Sequence, residues 1–382
     1  MDLLSASEVK VSVICMAYNQ EKYIEQMLRS VITQKTEFRF EVIVHDDCSI
    51  DATADIIRKY QNEYPDIVRP IYESENQYSQ GVDIVMGLCL PKSKGKYIAI
   101  CEGDDYWSDD TKLQRQFDVM EQHPELDMCV CRANEINGTD DSFIQEIRPQ
   151  KKDCILSVED VILGGGRYVA TATHFYRREL FENMLPFEQI MNFDYTNQIK
   201  GALKGGIYYI DTCMAVYRRA TSGSWTVRIE KDNEKREQHR KLEIAMLRQL
   251  DIDTNKIYHE TILKRLKAYE SLYEQLKQNK EEIKAALTGY KKESLFLWGL
   301  GLRGETIQEF FSKEGLFLEG VCDKKNECIG EKTIYGYKIV DTEYAIQNHQ
   351  IIIAANRIIY DDLIQNSRIK KIIDFQQYIP FA

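Results

Sequence analysis

The feature that most constrains this chain is a repeated order: an apolar run, a short polar or acidic cluster, then a helical pattern. Val11-Ser12-Val13-Ile14-Cys15-Met16 leads into Ala17-Tyr18-Asn19, after which Tyr23, Ile24, Met27, Leu28, Val31 and Ile32 share one helical face. Phe40–His45 ends at Asp46-Asp47-Cys48-Ser49, and Asp51-Ala52-Thr53 opens a helix that Pro65 stops near Tyr64. A strand over Val68–Tyr72, a helix over Val82–Leu90 and a strand over Tyr97–Cys101 follow. This alternation predicts an α/β fold with a mainly parallel sheet covered on both faces. Ligands of such sheets sit outside the carboxyl ends of the strands. Those ends carry Ala17-Tyr18-Asn19, Asp46-Asp47 and Glu102-Gly103-Asp104-Asp105, which places acidic groups at the binding edge.

Charge narrows the choice of ligand. Lys plus Arg is 50 and Asp plus Glu is 61, a formal net charge of −11. Nucleic acid is therefore not expected as a partner, because phosphate backbones are held by clustered Lys and Arg. An anionic small molecule bridged by a cation remains compatible with acidic loops. The 382 residues suggest two or three domains, at roughly 150 residues each. No apolar run approaches the roughly 20 residues that span a bilayer, and the first residues lack a basic segment followed by an apolar one. The ten cysteines form no C-x-x-C pair and several lie in apolar runs, so reduced, buried thiols are expected. The expected location is cytoplasmic, with at most peripheral contact at the inner face of the plasma membrane.

Domain limits are expected at 1–225, 226–292 and 293–382. The middle stretch is rich in Glu, Lys, Gln and Arg, has no proline, and carries Leu263, Leu266, Tyr273, Leu276, Ile283 and Leu287 near helical spacing. It reads as a helical linker, whose irregular heptads leave a homo-oligomeric coiled coil open as an alternative. From Leu295 the strand-helix alternation restarts. Gly299-x-Gly301-x-x-Gly304 lies between strand and helix, with Asp323 closing the next strand. That is the dinucleotide fingerprint in its proper context, although the domain has only about half the length of a full dinucleotide fold. Nucleotide binding there, with Arg303 on a phosphate, and a purely structural use of the glycines both stay open.

Three motifs together resemble the nucleotide-sugar-binding half of family 2 glycosyltransferases, the inverting enzymes of the GT-A fold. They are Met16-Ala17-Tyr18-Asn19, Asp46-Asp47-Cys48-Ser49-Ile50-Asp51-Ala52-Thr53, and Glu102-Gly103-Asp104-Asp105-Tyr106-Trp107. The likeness runs over roughly residues 9–225, and the C-terminal part resembles small Rossmann-like domains of bacterial surface-polysaccharide enzymes. The resemblance implies a nucleotide-sugar donor, most simply a UDP-sugar, and a glycan or lipid-linked glycan acceptor. By it, Asp47 reads the base with Ala17, Tyr18 and Asn19 beside it, and Asp104 takes the ribose or the metal. Asp105 takes Mn²⁺ or Mg²⁺. Glu102 stands where the family often has its first Asp. Asp194, in Phe193-Asp194-Tyr195, matches the general base. Cys48 replaces the glycine of the D-D-G-S pattern and is expected to alter the turn, while Ser49 or Asp51 is expected to cap the following helix.

Other residues admit a bland use beside a functional one. Arg218 and Arg219, ahead of Ser222-Gly223-Ser224-Trp225, suggest a mobile basic loop closing over the diphosphate, or solvated arginines. His174 in its apolar stretch reads as structural. No Q-x-x-R-W motif is present at Gln238-His239-Arg240-Lys241-Leu242, which favours a single sugar added per encounter. The competing functions are a nicotinamide-dependent oxidoreductase or epimerase using the C-terminal fingerprint, and a non-catalytic nucleotide-sugar-binding scaffold.

Overall fold

A computed structural model describes residues 8–191, 194–219, 221, 233–267, 269, 272–290, 295–323, 329–348, 351–369 and 371–378. The chain divides into two compact units, 1–262 and 263–382. The boundary falls inside the stretch expected as a helical linker.

The first unit starts as its hydrophobic pattern dictates. The strands are β1 (Val9–Ala17), β2 (Arg39–Asp46), β3 (Val68–Tyr72) and β4 (Tyr97–Ile100), and the first helices are α1 (Ile24–Ile32) and α2 (Thr53–Glu63). The strands pair in parallel in the order β3-β2-β1-β4. Helix α1 buries Ile24, Met27, Leu28, Val31 and Ile32, the face that its apolar spacing marks. Each such side chain contributes roughly 1.5–3 kcal/mol by leaving water. The expected helix over 82–90 is instead a single π-helical turn, Ile84–Cys89, followed by a 3₁₀ turn at Leu90–Lys92. Gly81 takes φ +80° before it and Pro91 follows, so the chain is bounded on both sides of this short segment.

The remaining elements of this unit are β5 (Tyr106–Trp107), α3 (Lys112–Gln122), β6 (Met128–Asn137), β7 (Phe143–Ile147), β8 (Cys154–Leu156), α4 (Val158–Gly164), β9 (Phe175–Arg177), α5 (Asp194–Ala202), β10 (Ile207–Arg219) and α6 (Asn233–Asp253). Strand β9 is antiparallel to both β4 and β6 and joins the parallel half to a second half, β6-β10-β5. There β6 and β10 run parallel, and β7 and β8 pair at their sides. This mixed, mostly parallel sheet is what carries residues distant in sequence to one edge. Helix α6 buries Met246, Leu247 and Leu250, and the Phe187 N–H donates to the Asp253 carboxylate (2.9 Å).

In the second unit, the helices α8 (Leu272–Gln278) and α9 (Lys280–Leu287) follow α7 (His259–Lys267), which holds the boundary. Leu276 of α8 and Ile283 of α9 enter the core of this unit. The stretch 226–292 is therefore shared between the two units. The sheet is fully parallel: β11 (Leu295–Trp298), β12 (Gly320–Cys322), β13 (Ile351–Ala354) and β14 (Lys371–Asp374), in the order β12-β11-β13-β14. Helices α10 (Leu302–Lys313), α11 (Thr342–Asn348) and α12 (Arg357–Leu363) complete it. The described cysteines are all free thiols, and burial pushes the Cys89 thiol up to about 12. No helix among the described residues is long and apolar enough to cross a membrane.

Candidate active site

Parallel pairing sets the ends of β1, β2 and β4 side by side, and backbone contacts lock the loops that leave them. The Asp47 N–H donates to the Ala17 carbonyl (3.0 Å), and the Gly103 N–H donates to the Met16 carbonyl (2.9 Å). A Cβ at Gly103 would lie 2.1 Å from Gln20 Oε1 and 3.2 Å from Ala17 Cβ, so the acidic loop rests directly on the end of β1. Cys48 takes φ +63° and Asn19 φ +52°. Cys48 therefore holds the left-handed backbone that glycine prefers, and the strain falls on the cysteine itself.

Ser49 and Asp51 both reach the loop after β1, and Asp51 also reaches the start of α2. Ser49 Oγ accepts the Asn19 N–H (2.9 Å), Thr53 Oγ1 accepts the Gln20 N–H (2.7 Å) and Asp51 Oδ2 accepts the Glu21 N–H (3.1 Å). These side chains stitch the loop after β1 to the loop after β2. Asp51 Oδ1 does accept the Thr53 N–H (2.9 Å) at the helix start, but no side chain caps α2 from Ala52. Tyr18 stands 43% exposed beside buried Ala17, which presents an aromatic ring at the rim of the edge. The buried Asp47 carboxylate accepts the N–H groups of Gln77 (2.7 Å) and Tyr78 (3.1 Å), so it also anchors the loop after β3.

The decisive grouping is electrostatic. Glu102, Asp104 and Asp105 follow β4, while Asp194 opens α5 in the other half of the sheet. Strand β9 brings these halves together, and the Ile100 N–H donates to the His174 carbonyl (3.2 Å) just ahead of it. Burial holds the Glu102 carboxyl well above the usual range, and the charges of Asp194, Asp105 and Asp104 raise it further. Asp105 is likewise held well above by burial and by Asp104. Burial raises Asp104 against the Thr221 hydroxyl, and raises Asp194 against the Thr171 hydroxyl. Thr221 Oγ1 donates to Asp104 Oδ2 (2.6 Å), and Thr171 Oγ1 donates to Asp194 Oδ2 (2.5 Å). Neither threonine carries a sequence signal, since each lies in a short apolar or polar run without periodicity. Asp105 Oδ1 accepts the Arg218 N–H (2.8 Å), whereas its buried Oδ2 has no hydrogen-bond partner among the described residues.

Among the described residues, no group of three or more His, Cys, Asp or Glu closes around one metal position. The residues nevertheless fit a hard cation that takes one or two carboxylates and completes its shell with phosphate and water. The donor set is purely carboxylate, its members raise one another, and one buried oxygen, Asp105 Oδ2, is left without a partner among the described residues.

Arg218 departs from its expected place. It lies on β10, nearly fully buried, and its guanidinium donates to the Asp104 carbonyl, Gln26 Oε1 and Asp141 Oδ1. A side chain committed to these partners belongs to the wall behind the acidic loop, not to a mobile flap. Arg219 lies 3.5 Å from Glu135, and Ser222–Trp225 fall outside the described residues, as do Asn192 and Phe193. His174 is fully buried with Nδ1 2.7 Å from the Tyr176 hydroxyl, and burial lowers it to about 3, so it stays neutral.

In the second unit, Gly299, Gly301, Gly304 and Asp323 meet at the carboxyl ends of β11 and β12. Gly299 takes φ +128°, and a Cβ on Gly304 would lie 1.9 Å from the Gly299 carbonyl oxygen. A Cβ on Gly301 meets nothing within 4 Å. Asp323 Oδ2 accepts the Leu300 N–H (3.1 Å), and Arg303 bonds Gln376.

Residues 12–222 match the model of Glycosyl transferase family 2. The chain belongs to glycosyl transferase family 2. Within this family it is 36% identical over 217 residues to an uncharacterized protein of Mycobacterium tuberculosis, a match over 56% of this chain and 60% of that one. The chain thus spans less than two thirds of that relative. It is also 36% identical over 111 residues to the Escherichia coli UDP-Glc:alpha-D-GlcNAc-diphosphoundecaprenol beta-1,3-glucosyltransferase WfaP, covering 29% of this chain and 41% of that one. The crystal structure of Staphylococcus aureus TarS 1–349 superposes with a TM-score of 0.50 at 17% identity, over 80% of this chain and 79% of that one. The fold is that of GT-A glycosyltransferases. The family match ends ahead of the second unit.

Proposed function

We propose that this family 2 chain is a metal-dependent, inverting transferase that moves one sugar from a UDP-sugar to a hydroxyl of a bacterial surface-glycan acceptor. The observation that carries this reading is that Asp194, from the other half of the sheet, lies close enough to Glu102 and Asp105 for its charge to raise both carboxyls, with Asp104 beside them. The name of the E. coli relative, with its UDP-linked donor and lipid-diphosphate acceptor, supports the donor class and a lipid-linked acceptor.

Base and ribose bind along the edge formed by Ala17, Tyr18, Asn19, Asp47 and Asp104. Uracil presents one N–H between two carbonyls, and Asp47 supplies the acceptor for it. Asp105, with Asp104 beside it, would hold Mn²⁺ or Mg²⁺. Such a cation neutralises charge on the departing diphosphate. Asp194 takes the proton of the acceptor hydroxyl as its oxygen bonds to the sugar C1 and the C1–O bond to the diphosphate breaks on the opposite face. Burial that raises the Asp194 carboxyl suits this task, because a general base works best with its pKa near the working pH.

The Asp194→Asn variant is expected to bind UDP as the parent does while transfer falls by about 10²–10⁴-fold. Near-parental turnover would remove Asp194 from the base role.

A further inference from the structure

We infer that Arg218 is a positioning residue that sets the acidic loop for the cation and nucleoside diphosphate without touching either; the inference rests on the proposed donor site. Its side chain is 2% exposed. The guanidinium packs on two rings, 5.1 Å from the centre of Tyr23 and 4.8 Å from that of Tyr106. All three of its nitrogens are engaged: Nη1 donates to the Asp104 carbonyl (2.8 Å), Nη2 to Gln26 Oε1 (2.5 Å) and Nε to Asp141 Oδ1 (3.1 Å). Its own backbone N–H holds Asp105 Oδ1 (2.8 Å). The Tyr23 hydroxyl donates to the Gly138 carbonyl (2.8 Å), which fixes one of these rings to the turn after β6.

A buried guanidinium is costly unless it is well paired, and here rings and charge-assisted hydrogen bonds supply the pairing. One residue thus ties α1, the turn after β6, β10 and the acidic loop to a single point. It grips that loop twice, at the Asp104 backbone and at one oxygen of Asp105. The other oxygen, Asp105 Oδ2, is the one left without a partner among the described residues. With one oxygen pinned, the carboxylate cannot rotate freely, and the orientation of Oδ2 depends on β10. Lysine cannot replace this arrangement, because an ammonium lacks the planar fork that reaches three acceptors while packing on aromatic rings.

The test is calorimetric titration of the full chain with UDP, with and without Mn²⁺. For the parent, Mn²⁺ should tighten UDP binding. In Arg218→Lys and Arg218→Met that Mn²⁺-dependent gain should fall at least tenfold, while metal-free UDP affinity stays within about twofold, since Ala17, Tyr18, Asn19 and Asp47, on which the base rests, do not touch Arg218. A merely structural role would weaken both alike. Gln26→Leu, which removes one acceptor of the guanidinium from α1, should lose several-fold of the same gain. It decides the matter if the Arg218 variants fail to fold. Equal Mn²⁺-dependent gain in parent and folded variants would overturn the inference and leave the proposed function standing. No Mn²⁺ effect in the parent would overturn both.

Discussion

At the scale of single residues, the site is a contest between burial and a few hydroxyls. Asp194 illustrates it: burial raises its carboxyl, and the Thr171 hydroxyl pulls it back down. A base must be ionised to accept a proton, so activity is lost as pH falls through its raised value. Removing the hydroxyl raises that value further. Thr171→Val is therefore expected to lose about tenfold in rate on the acid limb, the worth of one hydrogen bond to a charged group, with little loss on the alkaline plateau. Thr171→Ser should restore the parental profile. A pH–rate profile of kcat/KM checks this, and an unmoved acid limb in the valine variant would show that Thr171 does not tune the base. The acids at the strand ends were legible in the sequence because each follows an apolar run. Thr171, Thr221 and the buried use of Arg218 were not. A charged side chain in a sequence reads as solvated, and nothing local announces that Tyr23, Gln26 and Tyr106 surround it.

Among elements, the parallel strands and amphipathic helices followed their periodicity, as α1 shows with its buried stripe. The π-turn at Ile84–Cys89 did not, because periodicity alone cannot tell one wide turn from a short α-helix. Strand β9 was also hidden: it is three residues long, and its antiparallel insertion between β4 and β6 depends on partners far away in sequence. That insertion is what carries Asp194 to the acidic loop. In the second unit, the glycines of the fingerprint divide by physical demand. Gly304→Ala would place a Cβ against the Gly299 carbonyl, and is expected to destabilise this unit by about 1–3 kcal/mol. Gly301→Ala, facing open space, should change stability little. Urea unfolding followed by hydrogen exchange of β11 distinguishes them. Equal stability of both variants would contradict the tight helix-on-strand packing.

For the whole molecule, net charge was a weak guide and the placement of charge a strong one. The excess of acids over bases is spread over the chain, while the carboxyls of Glu102, Asp104, Asp105 and Asp194 are gathered where partial or full burial raises each of them. Sites that break a local rule in this manner are commonly functional. The central claim is an inverting displacement with Asp194 facing the donor sugar across from the leaving diphosphate. Its most direct test needs no known acceptor: real-time proton NMR of a panel of UDP-α-sugars with the full chain and Mn²⁺, using water as the acceptor. At least one donor should be consumed, and its sugar should appear first as the β anomer, with the α anomer growing in only by mutarotation. A sugar released first as the α anomer would contradict the inverting mechanism and the role of Asp194 within it.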